Sequence, residues 1–250
     1  MSWFDGRPVL ISGAGRGLGE GIALDLAARG AVVGVVDIDG GSAERTVAAV
    51  REAGGRGEAY QADLSGRQAF LDVARRFGEA HGPLYGLVNN ASVLVYEPIE
   101  KVTEETLDRM IGSGLKAVFW GVQAFLETCD KEAGGRIVNY SSPVAYRGRP
   151  NTGAYTAIKG AVAALTKVLA GELGPRGIRV NAIAPGSVPT PATAGFVSAA
   201  DYEKRAAGIP LRRNGRVEDV TAAMAFLLGP DADFVNGATL AVDGGIIAAG

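Results

Sequence analysis

Apolar segments of two kinds alternate along this chain of 250 residues. Short runs rich in Val, Ile and Ala have the length and composition of buried β-strands. Longer stretches repeat apolar residues every three or four positions and several end at a glycine, which is typical of α-helices. Strands are predicted at residues 8–12, 31–36, 57–62, 84–88, 136–140, 178–184 and 238–242, and helices at residues 18–29, 42–53, 67–80, 103–129, 155–173 and 218–228.

This alternation predicts the fold class. Apolar strands joined by helical crossovers form a parallel sheet that is covered on both faces, the Rossmann-type doubly wound α/β arrangement. The sequence contains no repeat, low-complexity linker or change of composition, so we expect one dinucleotide-binding and catalytic domain over residues 1–250. Residues 189–210 carry few charges and include Phe196, Tyr202 and Ile209. We expect this segment to form a lid over the substrate.

Composition excludes several classes of function. Hydrophobic residues make up 47% of the chain and charged residues 21%, which is enough for a sizeable core. The net charge of −2 without a basic block argues against a nucleic-acid or anionic membrane partner, and no apolar run reaches the ~18 residues of a membrane span. The single Cys129 and the absence of a signal pattern favour a cytoplasmic protein. His81 stands alone, so no metal site is expected.

The junction after the first predicted strand is rich in glycine. Glycines permit a tight turn, close approach of the backbone to a pyrophosphate, and close packing of helix on strand. The following helix N-terminus supplies amide donors. A dinucleotide site is therefore predicted here, although a tight turn without a ligand would use the same residues. The predicted binding residues of this loop are Gly13, Arg16, Gly17, Leu18 and Gly19.

Polar residues follow the next strands at the same predicted edge. Asp37 ends the second strand, where its carboxylate would accept hydrogen bonds from the ribose of NAD and repel the additional phosphate of NADP. Arg16 favours the opposite preference, and we give Asp37 the greater weight. Asp63 and Leu64 are expected at the adenine edge. Asn90, within a small-residue motif after the fourth strand, is expected near the cofactor, although asparagines are also common in turns.

A proton-transfer group is predicted around residues 136–159. Tyr155 and Lys159 are four residues apart and share one face of a helix. A phenol has a pKa of about 10, and an ammonium ~4 Å away contributes about 4 kcal/mol at an effective dielectric near 20. We therefore expect Lys159 to bring the pKa of Tyr155 towards neutrality. A serine at the end of the preceding strand, Ser141 or Ser142, could hold a carbonyl oxygen against the phenol. The same spacing also arises on helices by chance.

Together these residues resemble the short-chain dehydrogenase/reductase family over nearly the whole chain. The resemblance implies a seven-stranded sheet, assembly as dimers or tetramers, and Tyr155 as catalytic acid/base. It implies that Lys159 lowers the pKa of the tyrosine and binds the nicotinamide ribose. It selects Ser142, thirteen residues before the tyrosine, to orient the substrate oxygen. It also implies that a cofactor-binding clamp holds the nicotinamide end of the cofactor through Pro185, Gly186, Val188 and Thr190.

Two residues depart from the family pattern. Ser92 replaces the glycine that usually ends the motif after the fourth strand. Gly114 occupies the place of an asparagine that, in the family, completes a catalytic tetrad by holding a water between the lysine and solvent. Gly112 and Gly114 each cost about 1 kcal/mol of helix propensity relative to alanine, which predicts a kink or a widened water site.

The sequence thus predicts an NAD-dependent alcohol dehydrogenase or ketone reductase. Val93, Leu94, Val144 and Tyr146 predict an apolar pocket, and hence an apolar or ring-bearing alcohol or ketone. Two alternatives are a dinucleotide-sensing or scaffold protein of weakened activity, and a non-redox lyase or dehalogenase on the same scaffold. Small residues on the helix at 155–173 predict a homo-oligomer that uses this helix and the helix at 103–129.

Overall fold

The computed structural model describes residues 3–191, 193 and 197–249. These residues form a parallel seven-stranded sheet, which confirms the predicted fold class. Its strands are β1 (Pro8–Ser12), β2 (Val32–Asp37), β3 (Arg56–Gln61), β4 (Gly86–Asn89), β5 (Gly135–Tyr140), β6 (Ile178–Pro185) and β7 (Thr239–Val242). The strand order is β3-β2-β1-β4-β5-β6-β7. Successive strands are added on one side of β1 up to β3 and on its other side from β4 onwards. A ligand crevice is therefore expected at the carboxyl ends of β1 and β4.

Helices cover both faces of the sheet. They are α1 (Gly17–Ala28), α2 (Gly40–Glu52), α3 (Arg67–His81), α4 (Glu104–Ile111), α5 (Ala117–Thr128), α6 (Gly153–Leu173), α7 (Ala199–Gly208), α8 (Val217–Leu228) and α9 (Ile246–Ala249). One apolar cluster lies between the sheet and α1, α2 and α8, and includes Ile22 and Met224. A second lies on the opposite face and includes Phe70 and Phe125. Strands buried on both faces explain why the strand segments are continuously apolar.

The helix predicted at residues 103–129 is divided into three parts. Helices α4 and α5 are separated by a turn of π-helix, Gly112–Lys116. A π-turn holds one more residue than an α-helical turn and is frequently found at functional sites. The two glycines in it lower the helix propensity locally. The predicted helix is therefore present from Glu104 to Thr128, and a π-helical turn lies where Gly112 and Gly114 predict a disturbance.

The predicted lid contains a helix that the sequence analysis did not predict. Helix α7 begins after Ser198, whose hydroxyl accepts a hydrogen bond from the Asp201 N–H, while the Asp201 side chain accepts from the Ser198 backbone. This reciprocal pair is a capping box. Phe196 of the predicted lid lies outside the described residues. In the described part of the chain, no helix combines the length and apolar character needed to cross a membrane.

Candidate active site

The glycine loop between β1 and α1 packs too closely against its neighbours to accommodate side chains at Gly13 and Gly19. Gly13 has a φ of +62°, and a Cβ there would lie 2.8 Å from Ala91 Cα. A Cβ on Gly19 would collide with the carbonyl oxygen of Gly13. Helix α1 then begins at Gly17 without a side-chain cap from Arg16. A bare backbone loop that leads into a helix N-terminus fits the pyrophosphate of a dinucleotide.

Asp37 connects this loop to the end of β2. Its Oδ2 accepts a hydrogen bond of 2.9 Å from the Gly15 N–H, and its Oδ1 accepts one of 3.1 Å from the Asp39 N–H. A Cβ on Gly15 would lie 2.9 Å from Asp37 Oδ2. The carboxylate is therefore fixed at the place predicted for the ribose, and Gly15 is a site residue that the sequence analysis missed. Asp39 caps α2 by accepting a hydrogen bond from the Ser42 N–H.

Asn90, which follows β4, holds the start of the glycine loop through hydrogen bonds. Its side-chain amide donates to the carbonyl oxygens of Ser12 at 3.0 Å and Gly13 at 2.8 Å. The buried Ser12 hydroxyl accepts from the N–H groups of Asn90 and Ala91 and donates to the Val88 carbonyl. These bonds hold the ends of β1 and β4 together at the crevice. Ser12 was not predicted as a site residue, because its role depends on a neighbour 78 positions away.

The residues predicted at the adenine edge follow β3 at the same carboxyl edge of the sheet. Asp63 Oδ1 accepts a hydrogen bond from the Ser65 N–H at 3.0 Å. The Leu64 side chain is buried and packs in the second apolar cluster, with Phe70 and Phe77. A ligand at this edge would therefore contact the backbone of Leu64 and not its side chain. The second carboxylate oxygen of Asp63 could accept a hydrogen bond from that ligand.

The three predicted catalytic residues meet at the carboxyl end of β5. Ser142 follows this strand, and Tyr155 and Lys159 lie on α6. The Ser142 hydroxyl lies near enough to Tyr155 to lower the pKa of its phenol. Lys159 Nζ lies 5.7 Å from the centre of the Tyr155 ring and donates a 2.9 Å hydrogen bond to the Tyr140 carbonyl. Ser141 is engaged elsewhere, since its hydroxyl donates to the Lys159 carbonyl.

The pKa values of Tyr155 and Lys159 are set mainly by burial. Loss of hydration raises the pKa of the Tyr155 phenol, Tyr96 raises it further, and the Ser142 hydroxyl opposes the rise. Burial lowers the pKa of Lys159 to about 8. The expected shift of the phenol towards neutrality is therefore not found: desolvation disfavours the phenolate, and Lys159 Nζ is directed to the Tyr140 carbonyl.

The cofactor-binding clamp begins at the end of β6 and is tied to the lid. Pro185 ends the strand, the Gly186 N–H donates to the Val242 carbonyl at 2.9 Å, and Val188 is buried. The Thr190 N–H donates to Thr193 Oγ1 at 3.1 Å, and the Tyr202 hydroxyl on α7 donates to the same oxygen at 2.6 Å. Thr193 thus links the clamp to the lid helix, a role that the sequence pattern does not reveal.

Ser92 and Gly114, the two residues expected to depart from the family pattern, face each other. A Cβ on Gly114 would lie 3.2 Å from Ser92 Oγ and 3.0 Å from Ile158 Cγ2. Ser113 also turns towards the loop after β4, because its hydroxyl accepts from the Val93 N–H at 2.9 Å and donates to the Arg109 carbonyl. The serine at position 92 thus borders the space that a side chain at position 114 would enter.

This contact predicts how the two positions respond to substitution. We expect Gly114→Asn to change kcat by less than about tenfold in either direction, which is ~1.4 kcal/mol of barrier. Its Cβ must displace Ser92 and Ile158, so we expect Ser92→Gly to raise the melting temperature of the Gly114→Asn variant. Steady-state kinetics and thermal unfolding of both single variants and the double variant test this. A hundredfold gain in kcat would instead favour a sensing or scaffold role for the natural protein.

Comparison with known proteins agrees with the geometry. Residues 13–247 match the family model described as enoyl-(acyl carrier protein) reductase. Cyclopentanol dehydrogenase of a Comamonas species is 33% identical over 249 residues, covering 99% of this chain and all of that protein. A 7α-hydroxysteroid dehydrogenase solved with NADH and 7-oxo glycochenodeoxycholic acid is 31% identical with a TM-score of 0.91, and the match covers 97% of this chain and 94% of that one.

A second similar structure carries the other nicotinamide cofactor. A short-chain dehydrogenase of Burkholderia cenocepacia, solved with NADP, is 34% identical with a TM-score of 0.91, covering 98% of this chain and all of that one. The fold, the glycine loop and the Ser142–Tyr155–Lys159 group define a Rossmann-type oxidoreductase that uses a nicotinamide dinucleotide. The chain belongs to the short-chain dehydrogenase/reductase family.

Proposed function

We propose that this protein is an NAD-dependent enzyme that transfers a hydride between NAD(H) and a secondary alcohol or ketone. The observation that carries the proposal is the meeting of Ser142, Tyr155 and Lys159 beside the bare glycine loop. The bound dinucleotide would donate or accept the hydride. Tyr155 would exchange a proton with the substrate oxygen, which the Ser142 hydroxyl would orient. Lys159 would bind the nicotinamide ribose.

The residues along the crevice fit a dinucleotide from end to end. The loop and helix N-terminus fit the pyrophosphate, the carboxylate of Asp37 fits the adenosine ribose, and the clamp fits the nicotinamide end. The proposed binding residues are Gly13, Arg16, Gly17, Leu18, Gly19, Asp37, Asp63, Leu64, Asn90, Tyr155, Lys159, Pro185, Gly186, Val188 and Thr190. Gly15 joins them because its N–H holds Asp37 in place.

We propose NAD(H) over NADP(H) as the cofactor. The carboxylate of Asp37 would repel the additional phosphate that NADP carries on its ribose. The neighbouring Ile38 is 66% exposed. An exposed aliphatic side chain beside that carboxylate offers an apolar surface to adenine. Arg16 is exposed on the loop and is the residue through which NADP could still be accommodated.

We propose a substrate that is apolar or ring-bearing close to the reacting carbon. The side chains of Val93, Leu94 and Val144 are half-buried near the site. The rings of Tyr96 and Tyr155 meet edge to face with their centres 5.8 Å apart. Aromatic and aliphatic walls of this kind stabilise a ring or a short hydrocarbon by burial of apolar surface.

A screen of secondary alcohols with NAD⁺, and of ketones with NADH, tests the proposed function by absorbance at 340 nm. We expect turnover of at least one cyclic substrate, and loss of that turnover in Tyr155→Phe. If the protein binds NADH but turns over no compound of the panel, the proposed enzymatic activity is contradicted and the sensing or scaffold role is favoured. Product formation without any change in NADH would favour the non-redox alternative.

We also propose a cytoplasmic homo-oligomer that uses α5 and α6. Gly160 on α6 has open space where a Cβ would lie, and Ala164 is exposed on the same helix. Small residues at the surface let a helix of a second copy approach closely, and the exposed Phe119 on α5 adds apolar area.

We expect sedimentation to show a dimer or tetramer at micromolar concentration. Ala164→Glu should shift it towards monomer, because the substitution places a charge in the proposed interface. The matched control is Ala53→Glu at the exposed end of α2, which should leave the assembly unchanged. A wild-type protein that sediments only as monomer would contradict the proposed assembly.

A further inference from the structure

The entrance to the site is formed by Tyr96, in the loop after β4. Its ring stands edge-on to the catalytic Tyr155, with an interplanar angle of 72°, and about 39% of the residue is exposed. Tyr96 therefore has one edge against the proton-transfer group and one towards solvent. A substrate that reaches Tyr155 passes this ring, and groups distant from its reacting carbon remain near it.

Two arginines from different elements converge on this entrance. Arg149, in the segment before α6, places its guanidinium carbon 6.0 Å from the centre of the Tyr96 ring. Arg205, on the lid helix α7, lies 5.7 Å from the ring of Tyr202, whose hydroxyl binds Thr193. One arginine is thus carried by the exposed loop before α6 and the other by the helix of the predicted lid.

The charges of two arginines act on the Tyr96 hydroxyl. Burial raises the pKa of the Tyr96 phenol, and the charges of Arg149 and Arg205 both oppose that rise. In the part of the chain that the structure describes, neither arginine forms an ion pair, whereas Arg75 and Arg213 pair with Glu127 and Asp219.

The acidic residues near these arginines form no ion pair with them in the described part of the chain. Asp201 on α7 accepts from the Ser198 hydroxyl in the helix cap, and its charge acts on Arg205 without a direct ion pair. Glu97, next to Tyr96, forms no ion pair with Arg149 or Arg205 among residues 3–191, 193 and 197–249. Two unpaired guanidinium groups at the mouth of an apolar site are suited to an anion, because arginine binds carboxylate and phosphate through paired hydrogen bonds.

We propose that the substrate carries an anionic oxygen group, such as a carboxylate or phosphate, that Arg149 and Arg205 bind while its alcohol or ketone carbon reacts beside Tyr155. The inference rests on the proposed function and specifies its substrate class. The Tyr96 ring lies 5.8 Å from the Tyr155 ring and 6.0 Å from the Arg149 guanidinium, so an apolar spacer would lie along this ring between the reacting carbon and the anionic group. The contact from α7 would also draw the lid towards the core when the anion is bound.

A matched set of ketones tests this proposal. The set is methyl 4-oxocyclohexanecarboxylate, the corresponding free carboxylate and 4-oxocyclohexyl phosphate, which share one ring and differ in charge. Binding is measured by calorimetry to the NADH complex of the Tyr155→Phe variant, so that no turnover is required. We expect at least one anion to bind at least tenfold more tightly than the neutral ester, and the better anion distinguishes a carboxylate from a phosphate substrate.

Variants assign the effect to the two arginines. Both Arg149→Gln and Arg205→Gln are introduced into the Tyr155→Phe variant. The anions should then bind no more tightly than the neutral ester, and the affinity for the ester should change less than twofold. The matched control is Arg147→Gln, in the same segment as Arg149, whose guanidinium donates to the Ile246 carbonyl. It should preserve the advantage of the anion.

Two outcomes would overturn the inference. Equal binding of the ester and both anions would do so, and so would an anion advantage that survives the double arginine substitution. Failure of the proposed function is read separately, as absence of hydride transfer at 340 nm by the wild-type protein with all three ketones. The binding result therefore decides the substrate class whether or not turnover is seen.

Discussion

Replacement of Tyr155 by phenylalanine is expected to lower kcat by at least a hundredfold while leaving NADH binding nearly unchanged. General acid–base catalysis contributes roughly 10²–10⁴-fold, and phenylalanine removes only the hydroxyl that exchanges the proton. The ring that contacts Tyr96 at 5.8 Å is kept, so the entrance retains its shape. Initial rates followed at 340 nm measure kcat, and fluorescence titration with NADH measures cofactor binding.

The matched control for this variant is Tyr140→Phe, the same change at the end of β5. Tyr140 is buried, and its hydroxyl has no hydrogen-bond partner among the described residues. Lys159 contacts only its carbonyl oxygen, so kcat should stay within about threefold of wild type. Removal of an unpartnered buried hydroxyl should also raise the melting temperature. If Tyr155→Phe keeps more than a tenth of the activity, Tyr155 is not the proton donor.

The fold was predictable because burial on both faces leaves a clear pattern. The first strand was predicted at residues 8–12 and lies at Pro8–Ser12, and its neighbours in the sheet differ from prediction by one or two residues. The strand predicted at 84–88 starts at Gly86, because Leu84 forms only an isolated bridge with Cys129. The π-turn was harder to predict, since helix propensity indicates where a helix is weak but not which hydrogen-bond pattern replaces it.

The proximity of two proposed catalytic residues was predictable because one short segment carries both. Tyr155 and Lys159 share helix α6, and the Ser142 hydroxyl lies near Tyr155, while their catalytic roles stay predictions. The balance of forces on them was not predictable, because it depends on burial by distant segments. The expected attraction of Lys159 for the phenol omitted the Tyr140 carbonyl, which takes its hydrogen bond.

The sequence also could not show which distant residues come together around Tyr96. Tyr96, Arg149 and Arg205 lie more than fifty positions apart from one another. Only the folded chain brings Arg149 to the ring of Tyr96, which contacts Tyr155, and Arg205 to the ring of Tyr202. The apolar pocket expected from Val93 and Val144 stays a prediction, and it did not include the two arginines of the proposed anion site.

The second large effect concerns the cofactor: kcat/KM should be at least a hundredfold higher with NADH than with NADPH. Two unit charges ~5 Å apart at an effective dielectric near 20 repel by about 3 kcal/mol, and each ~1.4 kcal/mol is a tenfold effect. Asp37 cannot turn away from a phosphate, because the N–H groups of Gly15 and Asp39 hold both of its oxygens. Initial rates with the two cofactors and one ketone measure the ratio.

Asp37→Asn separates the charge of this side chain from its geometry. Asparagine keeps an oxygen that can accept from the Gly15 N–H, so the loop should hold its shape while the repulsion is lost. We expect the NADH-to-NADPH ratio to fall at least tenfold, mainly through KM for NADPH. Asp39→Asn is the matched control: it weakens the cap of α2 and should lower the melting temperature without changing the ratio. A wild-type preference for NADPH would contradict this assignment and identify the exposed Arg16 as the dominant phosphate contact.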